Sequence, residues 1–179
     1  MSQVTVNQNV LSEALAKAVC ALRRCDFRYG KYIMITGCDA VSLLAGAVAR
    51  SAGAAAVVVC AESEEQVAMI RDLGFEAYRY GDDLKEMVRR ITDVRGFNLA
   101  LETLGDSRGY QAIMAVVKQG AKVGMLTAPL EPYLLPITVA IRSQIHFIAV
   151  KDSDERCRQI AEKLLRDKKI DPVVSALFR

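Results

Sequence analysis

Gly37, Asp39 and Ser42 lie in "ITGCDAVS" at positions 35–42, at the spacing with which a glycine loop receives a phosphate. The apolar run "KYIMI" precedes them, and "LLAGAVARSAGA" follows with helical spacing. In a strand–loop–helix of this kind, glycines let the backbone approach a pyrophosphate, and the helix N-terminus adds partial positive charge. Matched to G-x-G-x-x-G, only Gly37 is a glycine; Asp39 and Ser42 hold the other two places. A carboxylate ~4 Å from a phosphate charge is repelled by ~1–4 kcal/mol, depending on the effective dielectric. That equals about one to three decades of affinity. Asp39 also suits the N-cap of the following helix, accepting from the amide of Val41 or Ser42, and there it would fill the anion position itself.

Other residues with chemical potential are few. An acid at the end of the second strand would grip a ribose; Glu62 comes just after that strand, and Ser63 could hydrogen-bond a phosphate. Glu62, Glu64 and Glu65 read as acids of a helix start on a solvated face. Glu102 ends the fourth strand, where ligands of such sheets bind, and also where an acid commonly satisfies backbone donors. Ser107 has no histidine near it in sequence, and Tyr78 and Tyr80 read as packing residues of a strand. The single histidine, His146, rules out an H-E-x-x-H site and is expected to be a packed strand residue, so no metal is expected. No catalytic residue is assigned.

Composition narrows the classes. Of 179 residues, 52% are apolar and 25% charged, which is a globular pattern able to bury a core. Net charge is +3 from 24 basic and 21 acidic residues, and the basic residues are scattered, so no nucleic-acid partner is expected. The longest apolar run, 52–61, is too short to span a bilayer, and the N-terminus has no signal-peptide pattern, so no membrane partner is expected. The five cysteines (Cys20, Cys25, Cys38, Cys60, Cys157) show no C-x-x-C spacing, which suits a reducing, cytoplasmic setting.

The elements that must position these residues alternate. Helical spacing covers 10–23, 40–53, 63–74, 83–93, 109–120 and 154–170. Short apolar or alternating runs at 31–37, 54–61, 75–80, 97–105, 121–128 and 143–151 read as strands. "PLEPYLLP" at 129–136 reads as an irregular loop. Strands that are apolar on both faces, each followed by a helix, predict an α/β doubly wound domain: about six parallel strands with helices on both faces.

Three stretches, "IMITGCDAVSLLAGAVARSAGA", "VVVCAESEEQVAMIRDLGFEAYRY" and "GFNLALETLGDSRGYQAIMAVVKQGAKVGML", resemble the nucleotide-binding domain of medium-chain dehydrogenases and reductases. The resemblance is nearest to the zinc-free quinone oxidoreductase and enoyl reductase branch. It implies a Rossmann-like domain over 31–151, an N-terminal helix within 1–30 packed on its core, and a returning helix and tail over 152–179. Members also carry a separate barrel-like substrate domain, and nothing in this sequence can form it.

Two readings follow. If the resemblance extends to the cofactor, NADPH would lie across Gly37, Asp39, Ala40, Val41, Ser63, Leu104, Gly105 and Thr127, and hydride chemistry would need the absent substrate domain. If the altered loop decides, the fold is kept with a weak or lost cofactor site, as a scaffold or assembly surface. "SQIHFIAVK" at 143–151 would be an edge strand barely guarded by charge, so a homodimer through a continuous sheet is expected.

Overall fold

A computed structural model describes residues 8–82, 84–129, 132 and 135–170. Asp83, four residues of the proline-rich loop, and the segments 1–7 and 171–179, with the tail expected there, lie outside the described residues.

The chain runs α1 (Gln8–Arg24), β1 (Tyr32–Thr36), α2 (Ala40–Ser51), β2 (Ala56–Ala61), α3 (Glu64–Asp72), β3 (Glu76–Arg79) and α4 (Leu84–Thr92). It continues β4 (Phe97–Glu102), α5 (Ser107–Val116), β5 (Val117–Met125), α6 (Ile137–Arg142), β6 (His146–Ala149) and α7 (Glu155–Arg166). All six strands are parallel, in the order β3-β2-β1-β4-β5-β6. This is a Rossmann-like doubly wound sheet, and its order reverses between β1 and β4.

Strand periodicity divides the core in two. Ile33, Ile35, Val57, Val59, Leu99 and Leu101 face a layer built from α1, α2, α3 and α7. Met34, Val58, Cys60 and Ala100 face the opposite layer, with Met87 of α4 and Ala112, Ile113 and Val116 of α5. Helix α1 packs on α2 and α7 and puts Leu11, Leu15 and Val19 into the first layer.

Two places differ from the pattern read in the sequence. The helix expected over 109–120 ends at Val116, and Val117 already pairs with Phe97, followed by a register shift before Leu99 pairs with Lys122. Sheet pairing overrides the helical spacing of "VKQG" there. The second difference is α6, a six-residue helix that starts directly after Pro136; half of the loop expected at 129–136 lies outside the described residues. His146 is exposed on the outer strand β6 rather than packed.

Candidate dinucleotide crevice

The crevice lies at the carboxyl ends of β1, β2 and β4. Gly37 leaves β1 with φ +105°, and its N–H donates to the Cys60 carbonyl at 2.8 Å. A Cβ on Gly37 would meet Thr103 Oγ1 at 2.5 Å and Ser42 Oγ at 3.0 Å. The close approach that glycine permits is therefore used by the protein's own side chains.

Asp39 is the N-cap of α2, in extended backbone (φ −79°, ψ 173°). Its Oδ1 accepts from Ser42 N and from Ser42 Oγ, both at 2.7 Å. Ser42 is fully buried and touches Thr103 Oγ1 at 2.9 Å. Thr103 Oγ1 donates to the Thr36 carbonyl at 2.5 Å, and Thr127 Oγ1 donates to the Thr103 carbonyl at 2.6 Å. The Ser42 and Thr103 hydroxyls have two protons for three contacts, so the longest, between the two hydroxyls, is the one that goes without when the others form. A polar chain thus runs from the start of α2 through Ser42 and Thr103 to the loop after β5.

Leu104 and Gly105 follow β4, and their amides turn inward. The fully buried Glu102 carboxylate accepts from Leu104 N at 2.9 Å and from Gly105 N at 3.0 Å with each oxygen. Burial pushes the Glu102 carboxyl up, and the amides of Gly105, Leu104 and Asp106 oppose that push without cancelling it. Glu102 therefore serves the loop, the structural use that its sequence position suggested.

At the end of β2, Ser63 caps α3 in a capping box. Its Oγ accepts from Gln66 N at 3.3 Å, while Gln66 Oε1 accepts from Glu62 N and Ser63 N. A cleft of about 240 Å³ remains, lined by Gly37, Cys38, Ala61, Glu62, Gln66, Leu104 and Asp106. Ala40 and Val41 are half-buried in the first turn of α2. The sequence reading missed Arg108, whose guanidinium pairs with Glu62 and, at 3.1 Å, with Asp106. Forty-six positions separate Arg108 from Glu62, so no local pattern could have joined them. Glu62 itself faces the cleft rather than belonging only to a solvated helix start.

A model of the zinc-binding dehydrogenase family matches residues 40–166. The chain belongs to this family. It is thereby a member of the medium-chain dehydrogenase/reductase superfamily, built on a Rossmann domain, and a dehydrogenase family points to a nicotinamide cofactor. The chain is 30% identical over 118 residues to an L-threonine 3-dehydrogenase of Streptomyces coelicolor, covering 65% of this chain and 34% of that protein. It is 28% identical over 108 residues to the enzyme of that name from Coxiella burnetii, covering 59% of this chain and 32% of that protein. An alcohol dehydrogenase structure from Thermotoga maritima superposes with a TM-score of 0.80 at 20% identity, over 93% of this chain and 48% of the other. L-idonate 5-dehydrogenase from Escherichia coli gives 0.79 at 17% identity, over 95% and 49%. The chain spans about a third of the length of these curated relatives and about half of the solved chains.

The residues at the crevice do not fit the phosphate step of a dinucleotide. The amide of Ser42 at the α2 N-terminus already donates to Asp39, whose carboxylate stands at the pyrophosphate position. Nor do they fit the ion in the family's name: among the described residues, no group of three metal donors lies at the crevice. No helix among the described residues is long and apolar enough to cross a membrane.

Proposed function

We propose that this chain is a dehydrogenase-type nucleotide-binding domain whose cofactor site is filled from within, leaving a weak or lost dinucleotide site and a role in assembly. The observation that carries this reading is Asp39 Oδ1 at 2.7 Å from both Ser42 N and Ser42 Oγ. That carboxylate stands where the helix dipole would meet a pyrophosphate. Calorimetric titration with NADPH and NADH tests the reading. The expected result is no binding tighter than about 1 mM, which corresponds to about −4.1 kcal/mol. Sub-millimolar binding of either nucleotide overturns it.

Arg108 favours a second reading. An arginine near the end of β2 is the kind of group that accommodates an NADP 2′-phosphate. In that reading the chain holds NADPH and supplies hydride once joined to a substrate domain. Glu62 and Asp106 already neutralise Arg108, so it supports this reading less than Asp39 supports the first. Within the superfamily, the three stretches quoted above support the quinone oxidoreductase and enoyl reductase branch, while the threonine, idonate and alcohol dehydrogenases found by comparison support an alcohol–carbonyl branch. We follow the latter, because it rests on identity over more than a hundred aligned residues.

The assembly we propose is a homodimer through β6. This strand is the outer edge of the sheet, and nearby α6 exposes Ile137, Val139 and Ile141. An unguarded parallel edge beside apolar side chains suits pairing with a second copy. Sedimentation at tens of micromolar, on the order of a modest interface's dissociation constant, should give a dimer; a strict monomer contradicts it.

A further inference from the structure

In the layer over one face of the sheet, α1 and α7 pack together and bring two buried thiols to one carboxylate. Cys20 and Cys157 are 2% and 0% exposed. Their sulfurs and an Asp154 oxygen all lie within 4.8 Å of one another. Cys20 and Arg23 are one turn apart on α1, and Asp154 and Cys157 span the first turn of α7. Asp154 Oδ1 caps α7 by accepting from Cys157 N at 2.8 Å. Arg23 Nη1 reaches Asp154 Oδ1 at 3.2 Å, Asp154 Oδ2 at 3.3 Å and Cys157 Sγ at 3.0 Å. A permanent cation therefore already sits between the carboxylate and a sulfur, and both groups are turned toward positive charge.

We infer that Cys20, Asp154 and Cys157 form a binding site for a thiophilic divalent d10 cation of the zinc class, with Arg23 as the internal cation that it displaces. Two sulfurs and one oxygen are the donor types such an ion takes in tetrahedral geometry, with water completing the fourth position. Sulfur ligands at 2.3 Å stand about 3.8 Å apart around a tetrahedral ion. The two sulfurs therefore need to draw in by no more than about 1 Å. The two helices fix the cysteines, whereas the Arg23 side chain is 37% exposed and free to swing toward water. Binding balances as two thiols and one M²⁺ giving a metal dithiolate and two released protons, with no change of oxidation state. Two thiolates, one carboxylate and the ion sum to −1, which the displaced Arg23 beside the site offsets. A ligating thiol is deprotonated, so binding of the ion itself drives the release of the two protons.

The test uses the purified chain, kept reduced with a phosphine that does not compete as a thiol. Titration with Cd²⁺ should develop the ultraviolet thiolate-to-metal charge-transfer band, saturate at one ion per chain and release two protons. The band should vanish in Cys20→Ser and in Cys157→Ser, and persist in Cys38→Ser and Cys60→Ser. Circular dichroism establishes that each variant is folded. Asp154→Asn keeps the helix cap, since asparagine caps as well as aspartate, and should weaken binding even if a serine variant fails to fold. Absence of the band in the reduced protein, its survival in either Cys20→Ser or Cys157→Ser, or unchanged affinity in Asp154→Asn overturns the assignment.

Discussion

Two loops flank the point where the strand order reverses, and each carries a carboxylate that takes backbone amides as its donors. In the β1–α2 loop, Asp39 accepts from the amide three residues on. In the β4–α5 loop, Glu102 accepts from the amides two and three residues on. Their surroundings differ. Asp39 is exposed at a helix N-terminus, where an anion from solution could take its place. Glu102 is fully buried and holds the turn from inside the fold. One loop has an internal anion where a ligand would bind; the other has one where only folding needs it. Asp39 thereby occupies an amide at the N-terminus of α2, the place where a pyrophosphate would bind.

The comparison breaks first at Glu102. Glu102→Ala leaves the half-buried amides of Leu104 and Gly105 without their acceptor, at about 1–3 kcal/mol for each unpaired donor. We expect about 3 kcal/mol or more of lost stability in urea unfolding. Asp39→Ala should cost less, about 1–2 kcal/mol, as the loss of an N-cap does. Asp39→Asn should cost only a few tenths, because asparagine caps comparably. Equal losses for Glu102→Ala and Asp39→Ala would erase the distinction between the two loops.

The pH dependence sharpens the contrast at smaller amplitude. Burial raises the folded-state pKa of Glu102 above its unfolded value. The folded chain therefore holds that proton more tightly, so this contribution to stability is full below the unfolded pKa and falls as pH rises through the folded one. Unfolding free energy measured upward from the ordinary glutamate range should show this decline, and Glu102→Gln should remove it. A Glu102→Gln chain with the wild-type slope would place the titration elsewhere.

Much of this architecture was legible in the residues. Strands such as 56–61, apolar on both faces, have no stable place except between two helical layers, and Asp39, Ser63 and Asp154 mark helix starts by their chemistry. The start of β5 was not legible, because "VKQG" fits a helix by spacing and becomes strand only through Val117 pairing with Phe97. Helix α6 is too short, at six residues, to establish a period. At the crevice, the capping role of Asp39 and the structural use of Glu102 could be read from position alone. The Arg108–Glu62 pair, the Ser42–Thr103 contact, and the meeting of Cys20 with Cys157 depend on chain returns of 46, 61 and 137 positions, which no local pattern encodes.

The central claim is that Asp39 takes the place of a phosphate. Asp39→Gly tests it most directly, since glycine is tolerated at an N-cap for a few tenths of a kcal/mol and removes the carboxylate alone. NADPH titrated calorimetrically into both proteins should leave the wild type without binding tighter than about 1 mM and give the variant at least about tenfold higher affinity. Sub-millimolar binding by the wild type, or no gain in a folded Asp39→Gly chain, would contradict it.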